Sequence, residues 1–132
     1  MIMDKKQAWQ HLAVKQRVGE KDLKEKFAVI KILREEFGLH GLTGEILMID
    51  SESCRLPDIL IKGRPLTCVE LDGEWHQFGD QISKRERDVD RDKDYSRMGV
   101  KLVIINKELT QGYETEKVIK CLEDNGLKRK CF

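Results

Sequence analysis

The chain has 132 residues, of which 39% are hydrophobic and 37% charged, and a formal net charge of +1 at neutral pH. That length suits a single domain with a real core, and the apolar runs that recur along it exclude a disordered polypeptide. The near-neutral balance excludes a protein that coats nucleic acid by bulk charge, while leaving room for a local basic face.

The first predicted element is a weak helix over 4–18, carrying Trp9, Leu12 and Val14 and ended by Gly19. A stronger helix follows from Asp22, read as its N-cap, through Phe37, with Leu23, Phe27, Ile30 and Leu33 at helical spacing and Gly38 as the stop. Gly44 to Asp50, Leu56 to Lys62 and Leu66 to Asp72 read as three strands of an antiparallel meander, the last two joined by Gly63-Arg64-Pro65. Gln81 to Met98 is charged densely enough to demand a solvated helix. Val100 to Asn106 is mostly apolar and reads as a central strand buried on both faces, and Glu114 to Asp124 as a final helix with Val118, Ile119 and Leu122 inward. The fold expected is α/β, one domain with a mixed four-stranded sheet flanked by helices and a core spanning about 22–124.

Cys54, Cys68, Cys121 and Cys131 are scattered, with no C-x-x-C pair, and the polar start from Met1 to Lys6 reads as no secretory leader. Reduced thiols in an intracellular, cytoplasmic protein are the expectation, and no apolar run reaches the ~20 residues of a membrane span.

Chemistry concentrates in Pro57-Asp58 and in Glu70-Leu71-Asp72-Gly73-Glu74-Trp75-His76. Side chains alternate along a strand, so Cys68, Glu70 and Asp72 share one face. A hairpin closed by Lys62 and Leu66 sets Leu60 opposite Cys68 and Asp58 opposite Glu70, with Cβ atoms roughly 4.5–5.5 Å apart. Two carboxylates so placed repel unless they share a cation, and Mg²⁺ commonly takes one or two protein carboxylates together with substrate phosphate oxygens. Phosphodiester hydrolysis is the chemistry that suits such a site. His76, four residues beyond Asp72, is the best-placed general acid or base because imidazole exchanges a proton near neutral pH. The competing view of these acids is a solvated strand end; three of them converging from two strands weigh against it.

These residues resemble the PD-(D/E)XK nuclease superfamily: Pro57-Asp58, then Glu70-Leu71-Asp72 after a hairpin, within a helix, three-strand, helix, strand order. Asp72-Gly73-Glu74-Trp75-His76 and Glu86-Arg87-Asp88 ahead of Met98-Gly99-Val100-Lys101-Leu102 resemble the branch of very-short-patch-repair endonucleases and EDxHD homing nucleases. The resemblance covers roughly Asp22 to Glu108 and implies a restriction-endonuclease-like core (αβββαβ). It also implies Mg²⁺ or Mn²⁺ held by Asp58, Glu70 and the carbonyl of Leu71, and DNA as partner. Asp72 stands where the wider superfamily has lysine, which shifts proton transfer to His76. The branch also places a glutamate on the preceding helix, for which Glu25 is the closest counterpart, with Glu20, Glu35 and Glu36 competing. Asp88 and Asp92, spaced i, i+4, share a helix face from which one of them could orient His76; an ordinary solvated helix is the alternative. Trp75 resembles an aromatic that wedges into DNA, a core tryptophan being the other reading, and Arg87 and Arg91 are candidate phosphate contacts. Repair relatives carry a cysteine and histidine zinc site whose spacing this chain lacks, so no zinc is expected.

The expected activity is a divalent-metal-dependent endodeoxyribonuclease in a repair, homing or phage setting. Rival readings are a non-catalytic nucleic-acid-binding domain on the same fold, and a junction resolvase, which requires a homodimer.

Overall fold

The computed structural model describes residues 20–50, 53–72, 81–111 and 114–130, the side chains of 20–22, 81–88, Lys107 and Gln111 excepted. Helix α1 spans Glu20–Phe37. Asp22 therefore lies inside the helix rather than capping it, and the helix expected over 4–18 falls outside the described residues. The buried stripe of α1 is Val29, Leu33 and Phe37, at the i, i+4, i+8 spacing of one helix face. Phe27, expected on that stripe, is 55% exposed, because it sits two residues and roughly 200° around the helix from Val29.

The four-stranded sheet has the order β1-β4-β5-β6, formed by β1 (Gly41–Leu42), β4 (Ile59–Ile61), β5 (Thr67–Asp72) and β6 (Lys101–Asn106). β4 runs antiparallel to both β1 and β5, and β6 runs parallel to β5, which gives a mixed sheet. The single strand expected over Gly44 to Asp50 is reduced to the two residues Leu47–Met48. Gly44 adopts φ 76, a left-handed turn that ends the run begun by β1. Beyond it β2 (Leu47–Met48) pairs with β3 (Cys54–Arg55) in a separate two-stranded sheet. The meander's outer strand is thus Gly41–Leu42. A Cβ at Gly41 would meet Ile59 Cγ2 at 2.8 Å and Leu33 Cδ1 at 3.3 Å, so only glycine lets α1 press this closely on the sheet.

Helix α2 (Gln81–Met98) crosses from β5 to β6, a connection long enough for a parallel pair. Strand β6, expected at the centre, is instead an outer strand of the sheet, and Ile104 is 40% exposed while Val103 and Ile105 are fully buried. Asn106 Oδ1 accepts the N–H of Glu108 at 2.9 Å, opening a short helix α3 (Lys107–Gln111) that five residues of sequence give too little periodicity to reveal. Helix α4 (Thr115–Asp124) buries Val118, Ile119 and Leu122 as expected and gives way to Gly126 at φ 91.

Strand parity divides the interior. Ile59, Ile61, Val69, Val103 and Ile105 pack with α1 and α4 in one core, while Leu60, Cys68 and Val100 pack around Tyr95 of α2 in another. The result is an α/β domain with helices on both faces of its sheet. No helix among the described residues is long and apolar enough to cross a membrane.

Candidate functional site

The β4–β5 hairpin pairs Ile59 with Val69, Leu60 with Cys68 and Ile61 with Thr67. This is the register expected from its turn, and continuing it by one pair sets Asp58 opposite Glu70. Asp58 Oδ2 accepts the backbone N–H of Leu71 at 2.7 Å, which fixes the carboxylate at the end of β4. One pair further, Pro57 stands opposite Leu71. Proline has no N–H to offer, so β4 cannot take up the Leu71 carbonyl, which points to the same side of β5 as the N–H that meets Asp58.

Glu70 is only 7% exposed and accepts a 2.8 Å hydrogen bond from the Tyr95 hydroxyl of α2. Its proton affinity is pushed up to about 8, first by burial, then by the adjacent Asp58 charge and a hydrogen bond between the two carboxyls; the Tyr95 hydroxyl and the Arg91 charge pull the other way. The neighbouring groups show the same low-polarity setting. Burial and the Glu70 charge push the Cys68 thiol up to about 12, and they raise the Tyr95 hydroxyl as well, so both stay protonated and Tyr95 remains a donor.

The remaining site residues fall into three groups. Asp72 shares the face of Cys68 and Glu70, and both its oxygens accept from Arg91 Nη1 at 3.1 Å. That guanidinium, whose side chain is 11% exposed, also reaches Asp92 Oδ1 at 3.4 Å, so the arginine proposed for phosphate contact is engaged by two carboxylates here. Glu25 is a buried carboxyl on α1. Arg87 and Asp88 belong to α2 with side chains outside the described residues, and Trp75 and His76 lie outside them altogether.

Two groups at the site have no counterpart in the sequence-based expectations. Lys26 Nζ on α1 lies 3.4 Å from Asp58 Oδ1, and Tyr95 holds Glu70. Tyr95 left a trace in the sequence: it follows Arg91 by four residues, so one face of a helix that reads as wholly solvated carries an aromatic ring and a long cation. Lys26 left none, since only the docking of α1 on the hairpin brings it to Asp58.

Among the described residues no three His, Cys, Asp or Glu side chains are grouped to hold a metal ion. The available donor set is two carboxylates with a backbone carbonyl beside them, a hard-oxygen set suited to Mg²⁺ or Mn²⁺ with waters and substrate oxygens completing the shell. No family model, curated protein or solved structure matches the chain.

Proposed function

We infer that the protein is a divalent-metal-dependent endonuclease acting on DNA phosphodiester bonds, with Asp58, Glu70 and the Leu71 carbonyl as the metal-binding set. One observation carries this reading: two carboxyls meet across a hairpin, Asp58 fixed by the Leu71 N–H and Glu70 only 7% exposed and held by the Tyr95 hydroxyl. A like-charge pair with one member buried and the other partly so costs stability unless a proton or a cation relieves it, and a divalent cation relieves both charges at once. When bound, Mg²⁺ would polarise a phosphoryl oxygen and lower the pKa of a water.

The chain's own groups then have distinct tasks. Leu71 N–H and Tyr95 Oη–H each hold one oxygen of a carboxyl, which orients the pair before any ligand arrives. His76 is the proposed proton donor or acceptor, on the grounds of its position four residues after Asp72. The resemblance of Pro57-Asp58 and Glu70-Leu71-Asp72 to the PD-(D/E)XK pattern favours DNA as the substrate.

Incubation of the purified protein with supercoiled plasmid and Mg²⁺ or Mn²⁺ is expected to give nicked or linear product, abolished by EDTA, Asp58→Asn and Glu70→Gln. A protein that leaves varied DNA intact and binds neither ion by calorimetry would overturn the proposal. DNA affinity that is equal with and without divalent metal and unchanged by Asp58→Ala would point to a non-catalytic binding domain.

A further inference from the structure

We propose that Lys26 is an internal counter-cation of the acidic pair, a positioning residue that neutralises Asp58 in the metal-free protein and competes with a divalent ion for it. The inference rests on the metal reading of the same site and concerns how that site is regulated. Its first support is burial: the Lys26 side chain is 11% exposed, although an ammonium normally keeps to water at the end of its flexible stem. Holding a lysine so far inside is costly unless a carboxylate answers it, and Asp58 Oδ1 does so at 3.4 Å.

The second support is the division of labour between the oxygens of Asp58. Oδ2 is committed to the Leu71 N–H at 2.7 Å, so Oδ1 is the oxygen through which the carboxylate meets a mobile charge. Lys26 stands at that oxygen. A divalent cation held by Asp58 and Glu70 would therefore arrive beside a positive group already seated at Asp58, and like charges a few ångströms apart in a partly buried site repel strongly. Divalent binding has to displace the ammonium or bear its repulsion, and either course weakens the apparent metal affinity.

A merely structural lysine predicts the reverse, because its removal would loosen Asp58 and weaken binding. Calorimetric titration with Mn²⁺ of the wild type, Lys26→Met, Lys26→Arg and Asp58→Asn separates the cases. The expected result is roughly tenfold tighter binding for Lys26→Met, affinity within about twofold of wild type for Lys26→Arg, and loss of binding for Asp58→Asn. Unchanged or weaker binding by Lys26→Met, with the wild type binding normally, overturns the role of Lys26 and leaves the metal site standing. Absence of Mn²⁺ binding by the wild type overturns the metal reading itself. If Lys26→Met does not fold, the wild type serves alone: Mg²⁺ is expected to shift the NMR signal of the Lys26 ε-methylene, and a signal that stays in place through saturation overturns the proposal.

Discussion

Tyr95 reaches the site from the face of the sheet on which Cys68 and Glu70 project, and its hydroxyl is the polar tip of a side chain that is otherwise part of the second core. Tyr95→Phe keeps the ring and removes the hydrogen bond to a buried carboxyl, a loss expected to destabilise the protein by about 1–3 kcal/mol in urea unfolding. Since that hydrogen bond lowers the proton affinity of Glu70, its removal also moves the onset of metal binding to higher pH. Glu70 itself makes stability depend on pH in a direction opposite to that of most carboxylates. Its folded-state value is raised from 4.5 to about 8, so the folded protein binds the proton more tightly than the unfolded chain. The stabilisation is fully present below the unfolded value and is lost as pH rises through the folded one. Tm measured in EDTA is expected to fall between pH 5 and 9, and Glu70→Gln to flatten that part of the curve; a Tm that rises steadily over the same range would contradict the assignment.

Elements matter here through the closeness with which they pack. Gly41 lets α1 sit against Ile59, and α1 is also the element that carries Lys26 to Asp58. Gly41→Ala is expected to force a shift worth about 1–3 kcal/mol in the urea midpoint. It should also alter Mn²⁺ affinity, which an overpacked core remote from the site would leave untouched. The hairpin was legible in the sequence because its information is local: a turn of known residues sets the register, and period-two alternation then assigns Glu70 and Asp72 to one face. The role of α2 was half legible. Its charge density announced a helix, but Arg91 and Tyr95 are bound inward by Asp72 and Glu70, partners roughly twenty or more residues away that no window along the chain can supply. The same limit hid the edge position of β6, because its apolar run reports how much of the strand is buried and not which neighbours it has.

At the scale of the whole molecule, the acidic pair lies where layers meet: α1 touches it through Lys26, the hairpin supplies both carboxyls, and α2 touches it through Tyr95. A ligand bound there only in the folded state would stabilise the entire domain and not just one loop. At a Mn²⁺ concentration one hundredfold above its Kd the gain is about 2.7 kcal/mol, which for a chain of this size corresponds to several degrees in Tm. Asp58→Asn retains an oxygen for the Leu71 N–H but removes the charge that attracts the cation. The variant is expected to fold with lower stability, because Lys26 loses its counter-charge, and to lose the Mn²⁺-induced rise in Tm, while a control substitution at the exposed Lys120 keeps that rise. The size of the rise should also grow with pH from 6 to 8, because Mn²⁺ competes with the proton on Glu70 and that competition weakens as the proton leaves. A rise that is independent of pH, or one that survives Asp58→Asn, would place the bound ion elsewhere on the protein.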